Sequence, residues 1–151
     1  MRISKKSIAL LLIIILAPII IYLLWPSDEG RIKKLLKKGS NAVEREDLDD
    51  VMSRVSFNYR DDYGFTYLYI KEYMKKVFEQ MSDIRVEYEN LKIKVNKATA
   101  TADMDVRIIA TIGNDTGYVI GDVAKPIHLR FTLEKERVKW LVTKTEGLPR
   151  E

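Results

Sequence analysis

The chain has 151 residues, with 26 lysines and arginines against 22 aspartates and glutamates, one histidine and no cysteine. That suffices for one domain of ordinary size plus an appendage, and it excludes disulfides, thiolate catalysis and cysteine-held zinc. Arg2, Lys5 and Lys6 carry much of the formal net charge of +4, and the chain beyond Pro26 is near neutral, without the basic field that dominates affinity for nucleic acid.

Residues 1–7 form a short basic tail, and "IALLLIIILAPIIIYLLW", residues 8–25, follows without a charge. Its length approaches the roughly 20 residues that cross a hydrocarbon core as helix. Tyr22 and Trp25 stand at one end, where amphipathic rings favour the interface, and a membrane helix tolerates Pro18 better than a soluble one. A cleaved signal would end in small residues, whereas this segment ends "YLLWPSDEG"; a buried core helix would carry a polar face. The segment is therefore expected to be a single-pass anchor whose partner is the lipid bilayer. Its immediate flanks, Lys5 and Lys6 before and Asp28 and Glu29 after, favour a cytoplasmic N-terminus and an exoplasmic, periplasmic domain at the inner membrane. Arg31, Lys33, Lys34, Lys37 and Lys38 count the other way, but they lie in what looks like the domain's first helix, and long domains translocate with little regard to charge.

After a linker at 26–30, residues 31–146 show the periodicities of one domain. Ile32, Leu35, Leu36, Gly39 and Val43 share a helix face, with the basic residues opposite. Asp47 is a plausible N-cap for a second helix bearing Leu48, Val51, Met52 and Val55. Tyr63, Thr66, Ile70, Tyr73, Met74, Val77, Phe78 and Met81 predict a third helix beginning near Phe65.

At Ser82 the period changes to two. Ile84, Val86 and Tyr88 alternate, then Leu91, Ile93 and Val95 continue in the opposite phase, which predicts a bulge near Glu89–Asn90. Asn96–Lys97 marks a hairpin, and Ala98 to Ala110 keep one face of a long strand. "GNDTGYVIGD" is read as a turn-rich connection. Ile127 to Leu133 and Val138 to Val142 supply two more strands, with a turn near Lys135, and residues 147–151 form a tail. The expectation is α+β: an N-terminal transmembrane helix, then three helices packed on a curved four-stranded antiparallel sheet that wraps the third helix.

In this order of elements, with "REDLDDVMSRVSFNYRDDYG" between the first and third helices, residues 30 to 146 resemble the nuclear transport factor 2-like, or SnoaL-like, superfamily of cone-shaped, cystatin-like domains. That superfamily includes isomerases, dehydratases, secretion subunits and plain binding domains, so the resemblance does not select a function. Members similar to ketosteroid isomerase use an acidic base and a tyrosine donor inside the cone. Here the resemblance would assign those roles to Asp61 or Asp62, with Tyr59, Tyr63 or Tyr88 as donor, on a small apolar substrate. The strand alternation sends Asp103, Asp105, Arg107, His128, Arg130 and Lys139 to the outer face, which makes His128 a solvated strand residue rather than a base.

"NYRDDYGFTY", residues 58 to 67, fits a calcium loop poorly. With Gly64 as the sixth position, only Asp61 fills a carboxylate position. No metal or cofactor is expected. Asp61 or Asp62 would cap the third helix, Gly64 would allow a turn, and Tyr59, Tyr63, Tyr67, Tyr88 and Trp140 would line an apolar pocket. A tail, one membrane helix and an exoplasmic domain of this kind also resemble the anchored subunit of bacterial type IV secretion systems, which would make the partner a membrane protein complex. The outer sheet face, carrying Thr99, Thr101, Asp103, Asp105, Arg107, His128, Arg130 and Thr132, is polar for a stable dimer, so the soluble domain is expected to be mainly monomeric.

Overall fold

The computed structural model describes residues 5–149. Arg2 of the basic tail and residues 150 and 151 of the C-terminal tail lie outside the described residues. Among the described residues are four helices, α1 (Lys5–Leu24), α2 (Asp28–Glu44), α3 (Leu48–Met52) and α4 (Tyr67–Gln80). They are followed by strands β1 (Ser82–Asn96), β2 (Thr99–Ile112), β3 (Asp115–Ile120), β4 (Ile127–Glu136) and β5 (Lys139–Glu146).

Helix α1 is long and apolar enough to cross a membrane, and none of its apolar stretch is buried against the rest of the protein. Only Trp25 to Ser27 separate it from α2, which begins within the stretch read as a linker. Ser27 ends that connection by accepting the Gly30 amide at 3.1 Å, satisfying one of the orphan donors of the first turn. Asp47 caps α3 as its sequence position implies, accepting the Asp50 amide at 3.0 Å.

The sheet is antiparallel, with β1, β2, β4 and β5 in that order. Strand β2 is long enough to serve two partners along one edge. Thr99 to Val106 pair with β4, and Ile108 to Ile112 pair with β3. A fifth strand therefore replaces the loop expected at "GNDTGYVIGD". Gly113, at φ +63, provides the left-handed residue that a two-residue hairpin needs at its first central position. The register slip between Glu89 and Lys92, with Asn90 at φ +57, is the bulge implied by the phase change. It bends β1, so that the sheet curves.

The core lies on the concave face. Ala102, Met104, Val106, Leu129, Leu133 and Trp140 are buried there, and α2 packs Ile32 and Leu36 against them. The expectation that the sheet wraps the third helix needs correction. Helix α4 buries no residue fully, and Tyr73 is 55% exposed although it falls on the apolar stripe. The inner helix is α2. Helix α4 stands off the sheet, and that separation creates the site.

Candidate functional site

Between α2, α3, α4 and the concave sheet lies a cavity of about 350 Å³. Leu35, Leu36 and Gly39 of α2 form one side, Ile70, Met74 and Val77 of α4 another, and Val86, Met104, Val106 and Leu129 the floor. The volume is at the low end of small-molecule sites, roughly 300 to 1,000 Å³. Gly39 faces the Arg54 side chain, whose Cδ would lie in ordinary contact, 3.5 Å, from a Cβ at that position.

The polar side chains of the wall are few and mostly occupied. Arg54 is held by Asp50 at 2.6 Å, and the Ser40 hydroxyl donates to the Lys37 carbonyl at 2.9 Å. Tyr59, 4% exposed, hydrogen-bonds Thr145, while burial pushes its hydroxyl pKa above the usual tyrosine value. Tyr73 and Tyr88 complete the set of phenols. No aspartate, glutamate, lysine or histidine stands in the wall among the described residues.

The structure separates the residues that the sequence grouped together. Tyr59 and Tyr88 line the cavity; Tyr63, Tyr67 and Trp140 do not. Tyr63 precedes α4 rather than riding on it, is 46% exposed, and packs its ring 5.9 Å from Phe65. Tyr67 opens the helix with its ring 4.6 Å from Phe57. Trp140 is buried but turned toward the start of α2, where its indole donates to Asp28 Oδ1 at 3.0 Å. Lys135 joins the same carboxylate at 2.9 Å, and Trp140 and Lys135 together hold the Asp28 carboxyl below the usual range.

Asp61 and Asp62 part company as well. Asp61 is 6% exposed, and its Oδ1 accepts the amides of both Tyr63 and Phe65 at 2.9 Å. It closes the turn in which Gly64 sits at φ +79, a backbone conformation that favours glycine. The helix-capping role expected for Asp61 or Asp62 is filled by neither, for the N-cap position of α4 is Thr66, whose side chain makes no capping hydrogen bond. Asp62 points outward and pairs with Lys144 at 2.8 Å. Neither carboxylate is part of the cavity wall.

Sequence reasoning missed Val119, Ile120 and Leu148, which complete the wall at one end. The Gly-Asn pair at 113–114 was the available hairpin signal for β3. Leu148 had none. It reaches the cavity because Gly147, at φ +94, lies so close to the His128 carbonyl that a Cβ there would sit 2.0 Å from the oxygen.

On the outer face, His128 bridges Asp105 at 3.0 Å and Asp103 at 3.2 Å, and Arg130 reaches Asp103 at 2.7 Å. His128 is a solvated strand residue, as the alternation implies, and the two carboxylates raise its pKa.

No protein-family profile matches this chain, and no curated protein matches it by sequence. Solved structures do. A proposed scytalone dehydratase of Novosphingobium aromaticivorans superposes with a TM-score of 0.68 at 12% identity, covering 78% of this chain and 80% of its own. A proposed aromatic ring hydroxylase of the same organism gives 0.66 at 19% identity, over 82% of this chain and 90% of that one. The fold is nuclear transport factor 2-like. A nuclear transport factor 2-like protein with a cystatin-like fold, again from Novosphingobium aromaticivorans, extends the match to 94% of this chain and 87% of its own, with a TM-score of 0.61 at 12% identity. At these identities the likeness carries the nuclear transport factor 2-like fold alone, and no chemistry.

Proposed function

We propose that this chain is a membrane-tethered binding module whose nuclear transport factor 2-like cone holds a small apolar ligand, with α1 as the tether. The observation that carries the reading is the composition of the cavity wall, aliphatic and aromatic with a few already bonded polar groups. Such a wall gains free energy by removing an apolar molecule from water, and three phenols supply orientation.

The dehydratase and hydroxylase named among the structural neighbours make an enzyme the competing reading. It would need a carboxylate able to reach a ligand beside a tyrosine donor. Asp61 hydrogen-bonds Tyr59, which lines the cavity, but its Oδ1 already accepts two amides, and Asp61 itself is not part of the wall. A general base has to come within hydrogen-bond reach of the proton that it removes, so binding is the better supported role.

An anilinonaphthalene dye tests the cavity directly. The chain should bind it with enhanced emission, and Val77→Trp, which fills the space, should weaken binding about tenfold or more, a change of about 1.4 kcal/mol. Unchanged binding by a folded Val77→Trp protein would place the dye elsewhere and remove the basis of the reading. Charge at the immediate flanks of α1 supports an exoplasmic domain. Alkaline phosphatase joined to the C-terminal end should therefore be active in a bacterial host, and an inactive but well-expressed fusion would reverse the orientation.

A further inference from the structure

Three separate pieces of chain meet at one end of the domain. The Lys135 amide donates to the Ala98 carbonyl at 2.8 Å, joining the β1–β2 turn to the β4–β5 hairpin. Lys135 and Trp140 both hold Asp28, which fixes the first turn of α2 to the same place. The side chains that project from this end are cationic. Lys94 lies near the end of β1 and Lys97 in the turn that follows, Arg137 lies in the second turn and Lys139 opens β5, and Lys33 and Lys34 belong to α2, all exposed. The exposed acids nearby are Glu29 and Glu134, while Asp28 is paired with Lys135 and Glu136 accepts the Ser56 hydroxyl. Between Arg137 and Lys139, at the tip of its turn, Val138 is 71% exposed.

This end is also the one attached to α1. The connection is Trp25 to Ser27, which can span at most about 10 Å even when fully extended. If α1 crosses a bilayer, as the preceding reading has it, the start of α2 and the turns joined to it begin within about 10 Å of the headgroups, a distance comparable to the Debye length of ~8 Å at physiological salt. An apolar tip flanked by two cations suits the boundary between headgroups and acyl chains. We propose that this end is a docking surface for anionic lipid headgroups of the bilayer that α1 enters. Docking stands the domain on the membrane, with Val138 at headgroup level and the β2–β3 turn pointing into water. It thereby fixes how the cavity is presented to the membrane.

The test uses the full chain in phospholipid vesicles, of phosphatidylcholine alone or mixed with phosphatidylglycerol. Because the chain contains no cysteine, Val138→Cys accepts a single environment-sensitive dye, and Asn114→Cys at the far turn serves as its control. With phosphatidylglycerol present, the dye at 138 should shift to the blue and lose quenching by acrylamide, and salt should reverse both changes. The dye at 114 should stay in water throughout. Each lysine removed by Lys97→Ala or Lys139→Ala should lower the docked-to-free ratio about fivefold. Retention of the protein through a carbonate wash reports the tether separately. A retained protein whose dye at 138 stays in water on both lipids overturns the docking surface and leaves the tether standing. Protein lost in carbonate overturns both, since nothing would then hold this end at the surface.

Discussion

Asp61 offers the sharpest separation between a turn-forming carboxylate and a reactive one. Its Oδ1 accepts two amides at 2.9 Å in a position 6% exposed to water, so Asp61→Ala strands the Tyr63 and Phe65 donors together. A hydrogen bond to a charged group contributes about 1.5 to 3 kcal/mol, and partial relaxation of the turn toward water recovers some of the loss, leaving about 3 kcal/mol for the pair. Asp61→Asn keeps an acceptor oxygen in place and loses only the assistance of the charge, about 1 to 1.5 kcal/mol. For a domain of this size 1 kcal/mol moves Tm by about 4 °C, so the expected falls are about 12 °C for alanine and about 4 to 6 °C for asparagine. Thermal unfolding of a chain starting at Ser27, followed by circular dichroism, measures both, and urea unfolding of the same chain gives the free energies, with an unchanged slope expected. A carboxylate kept under strain for chemistry would behave in the opposite way, because removing its buried charge relieves a desolvation cost. A rise in Tm for Asp61→Asn would therefore refute the turn assignment and bring the enzyme reading forward.

Three further outcomes follow from particular contacts. Tyr63→Ala should cost about 1 kcal/mol in the same assay, since half of its ring stays in water, and a loss of 3 kcal/mol or more, the range of a core aromatic, would show that it is buried in solution. The stability that His128 draws from Asp105 and Asp103 should be fully present below the usual histidine pKa of about 6.5 and fall away as pH rises through its raised value. A histidine resonance titrating at or below the usual value would contradict that cluster, and His128→Asn should flatten the dependence. The chain starting at Ser27 should sediment as a monomer at micromolar concentration, because the outer face carries Asp103, Arg130 and His128 in ion pairs; a mass of twice the monomer would overturn this.

Local chemistry was enough to determine much of the domain. The uncharged run at 8–25 could become only a long apolar helix, Asp47 was placed to cap α3, and the change of phase at Glu89–Asn90 fixed the bulge in β1. Strict alternation along β2 and β4 placed Asp103, Asp105 and His128 outside and Met104, Val106 and Leu129 inside. Periodicity carries this information because it records which face of an element is apolar. It does not record how far away the opposing element stands. The stripe on α4 is as regular as that on α2, yet α2 is packed against the sheet and α4 is held off it, so the α2 stripe became core as well as one side of the cavity, while the α4 stripe, with no residue fully buried, became the opposite side. The aromatic residues were misplaced for the same reason. Trp140 belongs to an inward-facing strand set, but a carboxylate from the start of α2, more than a hundred residues earlier, turned its indole away from the cavity. Tyr63 continued the helical spacing by coincidence, because the turn that Asp61 closes ends the pattern before the helix begins. Enclosed space is a property of backbones set apart by distant contacts, and only the tertiary structure decided where this chain has one.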